Sequence, residues 1–395
     1  MKQKVLSSLA IASLFSTVAI AQQPDLPTTN KPGSKYQFTI VKDNSATSVK
    51  NQYHSETCWC FSTQSFLESE LMRMGKGTYA LSQMFVIRNM YLLKAINYMR
   101  YTGKANFGPG GEPHDVLNAV KLYGIVPASA YKGMPESMDT AKPDFTEMDA
   151  ALKALLDAQL KNATTVGHLN PNWFAAFQGA LDGYMGKVPT EFTYQGKSYT
   201  PMSFAKFLGI NPDDYVEVTS FTHHPFHTKF ALEVEDNFEH EEAYNVPLDE
   251  FQKITDNALM NGYTVEWGAD VSEPYCDLRR SSLAIVPEQD MGSMGASAKD
   301  SVFMYPIAQK KITQEMRQEA FDNLSTTDDH GMQLLGIAKD QNGDEFYIVK
   351  NSWGTANYCK GYDYVSQPYY LYKTTSIMVN KNAIPADIRK ELGIN

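Results

Sequence analysis

The segment Asn51-Gln52-Tyr53-His54-Ser55-Glu56-Thr57-Cys58-Trp59-Cys60-Phe61-Ser62-Thr63 opens a run of helical spacing that reaches about Met74. Leu67, Leu71 and Met74 recur four and three positions apart, the spacing of a stripe that a helix buries. Gly75-Lys76-Gly77 then breaks it. Cys58 therefore stands at a predicted helix start, with the amide of Gln52 six positions upstream. Asp329-His330-Gly331 and Asn351-Ser352-Trp353-Gly354 follow only after more than half the chain. A fold that joins these segments gathers a thiol, an imidazole, a carboxamide and a glutamine donor, a complete set for acyl transfer.

Other classes of function are constrained by composition. Met1-Lys2-Gln3-Lys4, an apolar run from Val5 to Ile20, and Ala19-Ile20-Ala21 before Gln22 predict a signal peptide over residues 1–21. The run is too short for a bilayer span, so the chain is expected to be secreted or periplasmic. A formal net charge of −10 offers no electrostatic footprint for nucleic acid or an anionic membrane surface. Four cysteines (Cys58, Cys60, Cys276, Cys359) are too few for a disulfide scaffold and lack the short-range pairing of a zinc site. If Cys58 stays free, Cys276 with Cys359 is the natural bridge, against two buried free thiols. His223, His224 and His227, with Glu233 or Glu235 nearby, could hold a metal, but no H-E-x-x-H pattern accompanies them. They read as a loop entering a strand, and no metal or other cofactor is expected.

Residues 22–45 are polar and read as a linker or a loosely docked strand around Gln37–Val41. One domain then runs over 46–395. A second helix is predicted over Ser82–Met99, and a third over His114–Tyr123 after the turn Phe107-Gly108-Pro109-Gly110-Gly111-Glu112. That turn lacks the Lys-Ser/Thr of a P-loop; Gly110 and Gly111 read as a wall that a ligand's backbone approaches closely. A helical hairpin from Asp144 to about Gly186 and a β-hairpin at Glu191–Tyr199 form a predicted insertion over about 135–200. Strand patterns dominate after Tyr215, including a hairpin around Asp340-Gln341-Asn342-Gly343. Helices first and strands late predict an α+β fold.

The chemistry follows from the residue types. A thiolate is the nucleophile, and helix N-terminal dipoles with a neighbouring imidazolium are expected to depress the pKa of Cys58. His330 would supply that imidazolium and protonate the leaving amine. Asn351 would orient the ring and Trp353 roof it. Gln52 and the Cys58 N–H would hold the oxyanion. Asp328-Asp329 otherwise reads as a polar loop. Each residue alone is ordinary; their joint order is not.

That order resembles the papain-type cysteine peptidases. The long stretch between Cys58 and His330 is similar to the bleomycin hydrolase/aminopeptidase C branch. So are Leu81-Ser82-Gln83, Gly110-Gly111-Glu112, Lys121–Pro127, Tyr199–Phe204, Gly209–Tyr215 and Val379–Pro385. The resemblance, over roughly residues 46–390, implies a papain-like fold of a helical and a β-rich lobe with a helical insertion. It also implies a thiol aminopeptidase acting on peptides, with Cys58, His330, Asn351 and Gln52 catalytic and Gly110, Gly111 and Trp353 lining the substrate site. In that branch the C-terminal tail lies in the cleft and offers its carboxylate to the substrate's amino group, and the enzymes are intracellular hexamers. Here the leader and the short tail Arg389–Asn395 depart from that pattern, so a homo-oligomer stays an expectation by resemblance only. Two other readings stay open: an endopeptidase with an open cleft, and a catalytically silent peptide-binding protein on the same scaffold.

Overall fold

The computed structural model describes residues 26–134 and 142–394. The predicted signal peptide, the first residues of the predicted linker and the start of the predicted insertion lie outside them. The chain begins with β1 (Thr39–Asp43) and then builds a helical lobe. Its members are α1 (Cys58–Arg73), α2 (Gln83–Arg100), α3 (Pro113–Tyr123), α4 (Thr146–Val166) and α5 (Trp173–Met185). A small hairpin, β2 (Phe192–Tyr194) with β3 (Lys197–Tyr199), leads to α6 (Pro201–Leu208).

Local chemistry sets several of these boundaries. The Ser82 hydroxyl accepts from the Phe85 N–H at 3.1 Å and starts α2. Pro113 takes the first helical position of α3, where its missing N–H costs nothing. At α6, Thr200 and Ser203 cap each other's backbone and left-handed Gly209 ends the helix. α4 and α5 lie within the stretch read as an insertion. They bury Met148, Leu152, Leu156, Phe177 and Leu181 against the core that α1 and α2 share.

The second lobe is a mixed sheet. Its strands are β4 (Tyr215–Thr219), β5 (Thr228–Ala231), β6 (Glu242–Asn245), β7 (Val265–Ala269), β8 (Cys276–Asp277) and β9 (Leu283–Ala284). The later ones are β10 (His330–Lys339), β11 (Glu345–Lys350), β12 (Tyr362–Ser366) and β13 (Thr374–Asn380). The spatial order is β5-β6-β4-β13-β7-β10-β11-β12-β9-β8, with β1 paired to β10. Four helices belong to this half: α7 (Leu248–Met260), α8 (Ala296–Ser301), α9 (Gln314–Asp322) and α10 (Gln367–Lys373). A fifth, α11 (Ala386–Glu391), follows β13. One face of the sheet packs on α7 and α10, with Trp267, Tyr347 and Tyr370 at its centre. The other face covers Tyr36, Phe38, Phe346 and Tyr364. The fold is α+β, a helical lobe followed by a β-rich one, as expected.

The structure decides between alternatives that the sequence leaves open. The predicted linker is docked: Tyr36 and Phe38 are buried, and the Phe38 ring stacks 3.8 Å from Tyr364. Its aromatics are too sparse to show a period, so only the partner sheet reveals them. Cys276 and Cys359 are both free thiols. Among the described residues, no helix is long and apolar enough to cross a membrane.

Candidate active site

The site forms where the start of α1 meets the start of β10. Gly331 makes the approach possible, since a Cβ there would lie 2.8 Å from Ser62 Oγ and 3.2 Å from Trp59 Cα. The Gly331 and Trp59 backbone N–H groups both point toward the Cys58 sulfur. The stretch before α1 is zipped onto the segment after β11. Gln52 N–H donates to Ser352 O at 2.8 Å, Gly354 N–H donates to Lys50 O at 3.1 Å, and Asn51 bridges Trp353. Sequence neighbours of the thiol are thereby joined to Asn351 and Trp353 by backbone hydrogen bonds, which do not depend on side-chain rotamers.

A cavity of about 360 Å³ opens over Cys58 and His330. His330 is buried, and its Nε2–H donates to Asn351 Oδ1 at 2.8 Å. The other ring nitrogen, Nδ1, is thus left for the thiol side. Asn351 is itself fixed: Oδ1 also accepts the Ser352 N–H at 2.8 Å, and Nδ2 donates to Asp363 Oδ2 at 3.1 Å. No sequence motif singles out Asp363. It is buried, a second amide from Asn357 donates to it at 3.2 Å, and burial lifts its pKa to about 7. Trp353 stacks on the imidazole with centroids 4.4 Å apart, and the Arg279 guanidinium lies 4.1 Å over the indole. The indole thus lies over the ring that Asn351 holds.

Burial acts on the thiol against the sequence expectation. It pushes Cys58 up to about 12 and His330 down to about 4. Cys58 remains partly exposed through the cavity, so water there offsets some of that burial. Each charge alone is disfavoured; a thiolate and an imidazolium would have to form together, each stabilising the other. The N–H groups at the start of α1 favour the thiolate from one side only.

Gln52 is buried, and its Oε1 accepts from the Ser352 hydroxyl at 2.6 Å. That bond turns the amide so that its NH₂ is the end left to donate. Replacing Gln52 by alanine is expected to lower kcat about 100-fold, with KM changed much less. Steady-state rates on a fluorogenic amide check this; an unchanged kcat removes Gln52 from the oxyanion site.

Gly110 and Gly111 line the cavity, but the protein's own side chains take the space a Cβ would need. A Cβ on Gly110 would collide with the Asp236 carboxylate, and one on Gly111 would fall 2.6 Å from Asp115 Oδ2 and 2.9 Å from the Trp59 indole. Trp59 Nε1–H in turn donates to Pro109 O at 2.9 Å and holds the turn in place. Asp328 is no mere polar loop residue: it lines the cavity, and burial raises its pKa to about 6. Asp329 also lines it and accepts the backbone N–H groups of Val271 and Ser272 at 3.2 Å. The histidine trio lies elsewhere. His223 and His224 share Glu233 at 3.1 Å, and His227 meets Glu250 at 2.8 Å.

The chain is similar in sequence and in fold to known peptidases. A model of the peptidase C1-like family matches residues 190–394. Aminopeptidase G of Lactobacillus delbrueckii subsp. lactis is 24% identical over 392 residues, covering 86% of this chain and 82% of its own. Aminopeptidase E of Lactobacillus helveticus is 23% identical, covering 87% and 83%. The mitochondrial cysteine proteinase 1 of Saccharomyces cerevisiae is 22% identical, covering 89% and 78%. The crystal structure of PepW from Lactobacillus rhamnosis superposes with a TM-score of 0.70 at 20% identity, covering 90% of this chain and 84% of that one. That likeness establishes the shared fold.

Proposed function

The chain belongs to the peptidase C1-like family, and from that premise we propose that it hydrolyses peptide bonds through Cys58, His330 and Asn351, releasing residues from the free amino end. The observation that carries this reading is the cavity shared by the thiol and an imidazole whose far nitrogen is held by Asn351. The sulfur attacks the scissile carbonyl while His330 takes its proton and passes it to the departing amine. The oxyanion faces the Gln52 amide and the Cys58 N–H. Water then hydrolyses the thioester with His330 as base. The aminopeptidase mode draws on the names of the relatives, aminopeptidases G and E. The apolar leader of residues 1–21 supports export.

One observation favours an endopeptidase instead. Gly393 and Ile394 lie along a different groove, with His114, Glu217, Tyr244 and Lys381, and among the described residues none from the tail lines the Cys58 cavity. Free-amine aminoacyl amides, the same amides N-acetylated, and longer blocked peptides separate the two modes. The aminopeptidase reading expects turnover of the free amines alone. Cleavage of blocked peptides at comparable rates moves the endopeptidase ahead, and no turnover of any substrate leaves the silent binding protein.

A further inference from the structure

The wall of the Cys58 cavity is strongly acidic. Six carboxyl groups line it (Glu56, Glu112, Asp236, Glu266, Asp328 and Asp329), with no lysine or arginine among the lining residues. Acids on a surface are usually solvated and silent; Glu56 and Asp329 are exposed in that way, whereas Glu112 and Glu266 are buried. Glu266 is fully buried, with Oε1 taken by the Ser62 hydroxyl at 2.7 Å and Oε2 without a partner. Glu112 is also more than nine-tenths buried; no donor reaches its Oε1, and its carboxyl group meets that of Asp328. Asp236 is brought over the turn by the missing side chain of Gly110 and is steadied by the Asn106 amide at 3.1 Å. The nearby cation, Lys94, is engaged elsewhere, donating to the carbonyls of Gly108 and Gly110. Buried carboxyl oxygens without donors are costly unless something cationic or protonated fills the space.

We propose that Glu112, Asp236 and Asp328, backed by Glu266, form a subsite that holds the α-ammonium of the substrate's N-terminal residue beside Cys58. This rests on the aminopeptidase reading and supplies what that reading lacks, since the described tail lines another groove. An ammonium donates three hydrogen bonds and matches several converging carboxyl oxygens without needing a planar partner. The Glu112–Asp328 pair accommodates the change in charge: burial lifts Glu112 well above the usual carboxylate range and Asp328 to about 6. An arriving ammonium favours the ionised form of both.

Two readouts test it on the full mature chain, with Asp236→Asn and Glu112→Gln as independent isosteric variants. The first is kcat/KM for leucine 4-methylcoumarin amide, its N-acetyl derivative, and N-acetyl-lysyl-leucine 4-methylcoumarin amide. Each variant is expected to lose about tenfold or more on the free-amine substrate, the value of one charge-assisted hydrogen bond. Neither blocked substrate should lose comparably. Unaltered free-amine kinetics in both variants overturns the subsite, and so does an Asp236-dependent preference for the acetylated lysyl substrate, which would assign the acids to a basic side chain. The second readout does not need turnover: the rate at which Cys58 forms a mixed disulfide with 2-aminoethyl methanethiosulfonate relative to the neutral methyl reagent, followed by peptide mass and normalised to a free thiol. A preference for the cation that falls in both variants supports the subsite; no preference, or one indifferent to both variants, overturns it. Absent turnover with that preference intact would sink the peptidase reading and leave the cation subsite standing.

Discussion

Replacing Cys58 by alanine is expected to lower turnover of free-amine amides by about 10⁴-fold or more while shifting stability by less than about 1 kcal/mol. The two effects separate because the thiol is partly exposed at the cavity and stands outside the buried cluster that Trp59, Cys60 and Phe61 enter. The same variant tests the electrostatics. With the thiolate partner gone, burial outweighs the Asn351 hydrogen bond and the Asp329 charge, and the His330 ring should titrate near 4. A two-dimensional NMR titration of the histidine ring protons reads this directly. A value at or above the ordinary imidazole pKa in the Cys58→Ala chain would show that burial does not govern the ring. Full activity in that chain would remove Cys58 from the chemistry altogether.

Much of the site is legible in the amino-acid sequence, because its residues sit in short motifs whose order carries the information. Cys58 at a helix start, His330 at a strand start and Asn351 just past a strand end are where the motifs place them. What surrounds them is not legible in the same way. Asp363 and Glu266 lie on strands whose other residues are mostly apolar, and one acid in such a strand carries no mark of whether it faces a cavity. Glu112 and Asp328 stand in turn and loop sequence, where acids are ordinarily solvated. They meet Asp236, which lies over Gly110, and Glu266 of β7 only in the folded cavity, and those are long-range facts. A depressed thiol pKa is what local terms predict, the helix dipole and the imidazole; the opposing term, desolvation, depends on the whole cavity. The docked N-terminal segment escapes the sequence for a similar reason, since Phe38 shows its value only beside Tyr364.

Strand β7 separates stability from chemistry within five residues, and this gives the largest stability effect. Successive side chains point to opposite faces of a sheet. Glu266 and Gly268 line the cavity, whereas Val265, Trp267 and Ala269 enter the core beneath the sheet. Trp267 is fully buried, and its Nε1–H donates to Thr374 Oγ1 at 2.8 Å. Trp267→Ala is therefore expected to cost about 3–5 kcal/mol, from lost transfer energy and the cavity left behind. That is a large share of a typical total of about 5–15 kcal/mol. Trp267→Phe keeps most of the ring and loses the hydrogen bond, so its cost should be smaller, about 1–3 kcal/mol. β7 is paired on both sides, with β10 and β13, so its backbone is held even when the indole is removed. The folded fraction of either variant should accordingly keep its Cys58 reactivity, while the urea midpoint falls in the order wild type, Phe, Ala. A loss below about 1 kcal/mol for Trp267→Ala would contradict the burial on which this ranking rests. Equal losses for the two variants would assign the cost to the hydrogen bond and not to the packing of the ring.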